Sequence, residues 1–382
     1  MKIAIVFPNL NGSPQTLDLG VAYLATYIQE RTEHEVKIID TTFHRRHWKK
    51  HVRKQIEEFK PDVIGFSVLS VLWDYTKEIA REIRTYHNVP HIVGGYQAIL
   101  APEETIESDL FDAICTGEGE LTIVDYLEAI GKNKPLKDVL GIWYRENGKV
   151  IKNANRPAIP SLDSLPFPNW DLFDDIEKYL FFLGRLYAIG TRGCPYRCTF
   201  CAETSLERAN VFAGKRWRER SAERYVEEIA YQYEKYKDRG MHGAHLFDTV
   251  FSFNDKWLDN WVEAYRAKGL HKKLPFTIFV RPDKHNASAA KIRLLAQAGC
   301  AQVRMGIESG NDDVRKGELR KPGCSNTGIE EITATLSENG ILAKTYSIIG
   351  FPHDTKQSIV QTIKFADNPL VQTQFVLSYT PI

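Results

Sequence analysis

Tyr187-Ala-Ile-Gly-Thr-Arg-Gly-Cys-Pro-Tyr-Arg-Cys-Thr-Phe-Cys-Ala202 carries three cysteines, Cys194, Cys198 and Cys201, at spacing C-x3-C-x2-C. An apolar run ends at Gly190, and the thiols sit in the loop that follows, led in by Thr191, Arg192 and Gly193. Soft thiolates at such short separations converge on one iron–sulfur cluster or one zinc ion. The odd number matters: three thiolates on a four-iron cluster leave one iron without a protein ligand, open to a substrate. The competing readings are a structural zinc site and unrelated buried thiols, which C-x2-C alone does not exclude.

Downstream of this loop the pattern is regular. Strands are expected near Leu186–Gly190, Ala244–Asp248, Phe276–Val280, Gln302–Ile307, Lys344–Ile349 and Gln374–Ser378, with helices between them. Ser221 and Thr327 are candidate N-caps, and Gly299 and Gly340 candidate C-terminal stops. Six strand–helix units suit a partial (β/α)6 barrel, whose active site lies at the strand C-termini. The cysteine loop follows the first strand, as that geometry requires.

Upstream, residues 1–132 also alternate apolar strands (Ile3–Phe7, Val36–Asp40, Val63–Phe66, His91–Val93, Ala113–Cys115) with helical patterns. That order reads as a doubly wound parallel α/β sheet, with ligands at the carboxyl ends of its strands. The loops there, Pro8–Gly20, Ser67–Val71, Gly94–Ala98 and Thr116–Glu120, are rich in small residues. No G-x-G-x-x-G follows the first strand, which disfavours a dinucleotide site. Residues 133–185 connect the two halves through a hairpin turning at Glu146-Asn-Gly148 and a stretch with Pro157, Pro160, Pro166 and Pro168, expected to be an extended tether.

At 382 residues the chain exceeds one ordinary core. Its hydrophobic content of 43% and charged content of 26% are those of a globular protein. A net charge of +1 excludes a strong field for nucleic acid or an anionic membrane, and no apolar run reaches spanning length. Lys215-Arg-Trp-Arg-Glu-Arg220 is the densest basic stretch, read as a solvated loop or as the segment ordering the next helix rather than a nucleic-acid site. Tyr23, Trp73, Tyr96 and Phe212 read first as packing residues. Six cysteines, three of them scattered (Cys115, Cys300, Cys324), make no disulfide framework and point to the cytoplasm.

The cysteine loop resembles that of the radical S-adenosylmethionine (SAM) enzymes, in which the open iron is chelated by SAM. The cluster's electron then cleaves the sulfonium and releases a 5′-deoxyadenosyl radical. Leu19-Gly-Val-Ala-Tyr-Leu-Ala25, Pro61-Asp-Val-Ile-Gly-Phe-Ser67, Ile92-Val-Gly-Gly95 and Thr116-Gly-Glu-Gly-Glu120 follow in order. They resemble the cobalamin (B12)-binding domain that precedes the radical SAM domain in one large subfamily. The resemblance implies a flavodoxin-like or Rossmann-type B12-binding domain over 1–132, a linker over 133–185 and a partial TIM barrel over 186–382. It implies three cofactors: a [4Fe–4S] cluster, SAM and cobalamin, the last as methylcobalamin.

For cobalamin the implied residues are Pro8, Leu19, Gly20, Ser67, Val68, Leu69, Ser70, Gly94, Gly95, Tyr96, Gln97, Gly117, Glu118, Gly119 and Glu120. For SAM they are Phe200, Asp248, Arg281, Arg304, Glu308, Ser309, Ile349 and Gly350, and for the cluster Cys194, Cys198 and Cys201. Two departures stand out. No Asp-x-His-x-x-Gly occurs, and Gln97 holds a position where the subfamily commonly has histidine, so no histidine from this motif is expected on cobalt.

The reading is a radical SAM methyltransferase that methylates an unactivated carbon and draws on an external electron donor. Alternatives are a B12-dependent rearrangement or cyclisation without methyl transfer, and a cofactor- or redox-sensing module without turnover. A methylthiotransferase is disfavoured because the N-terminal domain lacks three extra cysteines. The sequence ends at Leu377-Ser-Tyr-Thr-Pro-Ile382, directly after the sixth strand, where many relatives continue into a C-terminal domain that covers the substrate: either such a part has been removed, or a short enzyme leaves the barrel mouth open, which suits a protein or peptide substrate.

Overall fold

The computed structural model describes residues 1–12, 17–209, 214–371 and 373–379; Phe212 and the terminal Thr380-Pro-Ile382 lie outside them. The chain divides into two compact units, Met1–Leu183 with Ser205–Lys215, and Gly184–Thr204 with Arg216–Ile382.

The first unit is built on β1 (Lys2–Phe7), β2 (Glu35–Asp40), β3 (Val63–Ser67), β4 (His91–Gly94), β5 (Ala113–Cys115), β6 (Ile142–Glu146) and β7 (Lys149–Lys152), in the order β2-β1-β3-β4-β5-β6-β7. Ile3-Ala-Ile-Val-Phe7 is buried throughout, because a central parallel strand is covered on both faces. The first five strands are parallel and run 2-1-3-4-5, the flavodoxin-like order with its switch point between β1 and β3.

The expected hairpin forms, with Asn147 and Gly148 both at positive φ. It adds antiparallel to β5, so it extends this sheet. The proline-rich stretch is pinned to the same unit: Ile159, Leu162 and Leu165 pack with Tyr27 and Leu121, and Asn169 N donates to Thr26 Oγ1 at 2.7 Å. Helix Ile176–Leu183 was not foreseen from the sequence. Its buried Tyr179 donates to Asp40 Oδ2 at 2.7 Å.

The second unit contains β8 (Arg185–Ala188), β9 (Thr191–Arg192), β10 (Arg218–Glu219), β11 (Gly243–Leu246), β12 (Phe276–Phe279), β13 (Cys300–Glu308), β14 (Leu342–Ile349) and β15 (Thr373–Ser378). Six of these form one wholly parallel sheet, β15-β14-β13-β12-β11-β8, the partial barrel that the periodicity indicates; β9 and β10 pair separately. Ser221 caps helix Ala222–Tyr236 as expected, but helix Asn326–Glu338 is capped by Ser325 rather than Thr327. Gly299 and Gly340 end their helices at φ +86 and +71. Among the described residues, no helix is long and apolar enough to cross a membrane.

Candidate active site at the mouth of the partial barrel

Leaving β8, the chain is fixed by a carboxylate from the neighbouring strand. Asp248 is fully buried; its Oδ1 accepts from Gly190 N at 2.9 Å and Thr191 Oγ1 at 2.8 Å, and its Oδ2 accepts from Tyr225 OH at 2.8 Å. Burial pushes the Asp248 carboxyl up, and the three donors pull it back. Gly193 sits at φ +86, where a Cβ would lie 1.9 Å from the Arg216 carbonyl oxygen, so only glycine fits before Cys194. Thr249 Oγ1 donates to the Gly193 carbonyl at 2.8 Å. Beyond it, Cys201 N and Thr204 Oγ1 both donate to the Cys198 carbonyl, at 3.2 and 2.8 Å.

This loop brings Cys194, Cys198 and Cys201 to one cavity of about 380 Å³ at the carboxyl ends of the strands. Burial pushes the Cys194 and Cys201 thiols up, the latter to about 11, so metal binding must displace protons. Among the described residues, no three His, Cys, Asp or Glu side chains form a set that could hold a single metal ion.

Two buried cations stand beside the thiols. Arg281 Nη1 lies 3.5 Å from Cys198 Sγ, Nε donates to Asp283 Oδ2 at 2.7 Å, and the guanidinium covers the Tyr196 ring. Lys321 Nζ donates to Glu308 Oε1 at 2.9 Å and to the Gly306 carbonyl at 2.6 Å. Burial pulls the Lys321 ammonium down, but Glu308 and the Cys198 and Cys324 thiols more than offset it, and it is raised. Glu308 itself is held at φ +69, uncommon for a residue with a side chain.

The expected SAM residues divide. Phe200, Asp248, Arg281, Arg304 and Glu308 line the cavity. Ser309, Ile349 and Gly350 are not among its walls: Ser309 is buried against Thr362, 3.3 Å between hydroxyls, and Gly350 N donates to Asp354 Oδ2 at 2.8 Å. Lys321, Tyr196, Phe247, Phe279 and Tyr346 also line the cavity and were not singled out from the sequence. Phe279 and Tyr346 were recoverable in principle, since they alternate with buried outward residues along β12 and β14. Lys321 lies in a turn without periodicity.

In the first unit the implied cobalamin residues gather at the ends of β1, β3, β4 and β5. Gly95 adopts φ +89, ψ −171, and a Cβ there would sit 2.8 Å from both Val68 N and Val68 O. That close approach lets Val68 N donate to Gly94 O at 3.0 Å and Gln97 N to Val68 O at 3.1 Å, knitting the two loops together. Above them Leu69, Val71 and Tyr96 are exposed, with Val71 at 74%, an open apolar ledge that a flat macrocycle could cover. A Cβ on Gly117 would meet nothing within 4 Å. Pro8, Val68, Gln97 and Glu120 are buried, and Glu118 Oε2 accepts from Ile159 N at 2.7 Å.

The basic stretch follows the second of its two readings, the segment ordering the next helix. Arg218 and Arg220 are buried, and Arg220 pairs with the equally buried Glu228 of helix Ala222–Tyr236 at 3.0 Å, while its carbonyl accepts from Trp257 Nε1 at 2.7 Å. Arg220 is an internal strut, whereas Lys215 at the start of the stretch is exposed. Tyr23 and Trp73 are buried as packing residues, whereas Tyr96 is 38% exposed.

A family model described as the Radical SAM superfamily matches residues 188–366, and one described as the B12 binding domain matches residues 11–127. The chain is 33% identical, over 96% of its length, to an uncharacterized methyltransferase of Pyrococcus horikoshii, of which it spans 78%. It is 27% identical, over 80% of its length, to the cytidylyl-2-hydroxyethylphosphonate methyltransferase of Streptomyces wedmorensis, of which it spans 64%. Among solved structures, the radical S-adenosylmethionine methyltransferase TsrM of Kitasatospora setae, with cobalamin and a [4Fe–4S] cluster bound, shares the fold. Its TM-score is 0.81 at 20% identity, covering 98% of this chain and 72% of that one.

Proposed function

Because the chain belongs to the family of B12-binding radical SAM enzymes, we propose that it methylates an unactivated carbon of its substrate. The observation that carries this reading is the shared cavity: three loop thiols, a buried acid–base pair and an aromatic wall meet at the carboxyl ends of one parallel half barrel. When bound, a [4Fe–4S] cluster, SAM and cobalamin supply radical formation and the methyl group.

The chain's own residues hold and orient. Cys194, Cys198 and Cys201 hold the cluster, and Arg281, 3.5 Å from the Cys198 sulfur, supports its negative charge. Glu308 and Lys321 form a charge pair that suits a zwitterionic amino-acid moiety such as that of SAM, with Phe200 as apolar wall. Asp248 is a positioning residue: its Oδ1 is engaged by Gly190 and Thr191, which lead into the cysteine loop, and its Oδ2 by Tyr225 of helix Ala222–Tyr236. Ser309, Ile349 and Gly350 are left out of the SAM set because they do not line the cavity. For cobalamin we propose the Ser67–Ser70, Gly94–Tyr96 and Gly117–Gly119 segments, with the Leu69, Val71 and Tyr96 ledge against the ring. Six free cysteines suit a reducing cytoplasm, where an external donor delivers the electron.

The test is anaerobic cluster reconstitution with hydroxocobalamin, then reduction and mass spectrometry of SAM products. Formation of both 5′-deoxyadenosine and S-adenosylhomocysteine supports methyl transfer. Deoxyadenosine alone, with cobalamin bound, would turn the assignment to a rearrangement. Neither product from a protein with a full cluster would overturn it.

A further inference from the structure

The inward faces of the half barrel sort their charges by depth. Nearest the cysteines, the two buried cations each have an acid: Arg281 with Asp283, and Lys321 with Glu308. One layer further in, backbone register sets Phe279 beside Arg304 and Arg304 beside Lys344. Below them Tyr187 pairs with His245, and His245 with Thr277. Arg185 shares the inward face of β8 with Tyr187, whose ring is 6.1 Å from His245 and 5.6 Å from Phe247.

No carboxylate answers this second group. Arg304 donates through Nε to Gln302 Oε1 at 2.9 Å and covers Phe279 at 5.9 Å, yet no ion pair involves Arg185, Arg304 or Lys344 among the described residues. His245 is 5% exposed, stacked 4.2 Å from Phe247, and its Nε2 has no hydrogen-bond partner. Burial keeps that ring neutral, and the Arg304 and Arg185 charges are close enough to help. Such a concentration of positive charge in a partly buried, aromatic-walled space is left to water until an anion completes it.

We infer that Arg304, of these cations the one that lines the cavity, anchors an anionic group of the substrate, a carboxylate or a phosphate, with Arg185 and Lys344 adding positive charge on the inward face behind it. The assignment rests on the proposed catalytic reading and narrows its substrate class. Arg304 lines the same cavity as the cysteines, together with Phe247, Phe279 and Tyr346, so a molecule held by its anion here extends toward the radical chemistry with its apolar part against the rings. This moves Arg304 from the SAM set to the substrate. SAM's own carboxylate has Lys321 beside the cysteines.

The test uses cluster-reconstituted protein saturated with SAM, titrated calorimetrically with benzoate in one arm and inorganic phosphate in the other. One site per chain is expected for at least one probe, weakening as salt rises, and the better probe tells carboxylate from phosphate. Arg304→Ala should weaken that probe by about tenfold or more, since a charge-assisted hydrogen bond is lost, while SAM affinity stays unchanged. Arg304→Gln, which keeps most of the side-chain volume, guards against misfolding and should show the same loss at an unaltered melting temperature. Binding of neither probe, or equal binding by both variants and the parent protein, would overturn the inference. So would a loss of SAM affinity in place of probe affinity. The titration needs no turnover, so absence of SAM cleavage would count against the catalytic reading without touching this one.

Discussion

Gly95→Ala should damage the first unit twice over, and Gly117→Ala separates the two effects. Gly95 occupies φ +89, ψ −171, a region essentially reserved for glycine, and holding alanine there costs about 1–3 kcal/mol. Its new methyl would lie 2.8 Å from Val68 N and O, backbone atoms that cannot swing aside, and such overpacking adds about 1–3 kcal/mol. At about 2–4 °C per kcal/mol for a domain of this size, the melting temperature should fall by about 4 °C or more. Cobalamin retained after desalting, read by its visible absorbance, should fall with it, because the Gly94–Val68 and Val68–Gln97 hydrogen bonds that shape the ledge are broken. Gly117→Ala adds a methyl that meets nothing within 4 Å, so stability should change by no more than about 0.5 kcal/mol. If the corrin lies against this turn, that methyl enters its space, and cobalamin affinity should drop with no change in melting. Unaltered melting of Gly95→Ala would refute the backbone argument. Full cobalamin retention by Gly117→Ala would remove the Gly117–Gly119 turn from the proposed site.

Three further outcomes follow from the second unit. Asp248→Ala strands three donors around Gly190–Thr191, costing about 3 kcal/mol, and should lower iron bound per chain on reconstitution. Asp248→Asn, which keeps an acceptor for Gly190 and Thr191 and offers an N–H to Tyr225, should restore iron loading and SAM binding; loss of SAM binding alone would make the carboxylate a ligand instead. His245 is held neutral, its pKa depressed by burial from 6.5 to about 3, so the stability it lends is present above pH 6.5 and is lost as pH falls toward 3. Thermal melts between pH 7 and pH 4 should therefore decline less steeply for His245→Phe, and parallel curves would refute the assignment. Lys321→Met leaves the strained Glu308 carboxylate buried without its cation, a loss of about 3 kcal/mol that should appear in denaturant unfolding and as weakened SAM binding by equilibrium dialysis.

What the sequence made legible followed from local rules. The cysteine spacing, the alternation of buried β strands with capped helices and the Asn147-Gly148 turn each act over a few residues, so the two fold classes and the placing of the site at strand ends could be built from them. Where the sequence left a role open, the deciding partner lay far along the chain. Lys215–Arg220 reads as a solvated loop or as the segment ordering the next helix until Glu228 and Trp257 are brought to Arg220. Asp248 stands out only as an acid at a strand end, and the fold adds that Gly190, Thr191 and Tyr225 engage both its oxygens. Lys321 has no local signature, because its meaning comes from Glu308 and the Cys198 thiol across the barrel mouth.

The same distinction orders the charges of the half barrel. A cation that folding itself requires is given an acid by the chain, as Asp283 is given to Arg281 and Glu308 to Lys321, because burying it alone would oppose folding. Arg304, Arg185 and Lys344 are each only partly buried, so water can solvate them in the free protein and no internal acid is needed. That solvation is also what a ligand must displace, and only an anion returns the lost stabilisation on displacing it. The chain therefore keeps a positive inner wall at little cost to its own stability and reserves it for whatever enters the cavity from the cysteine side.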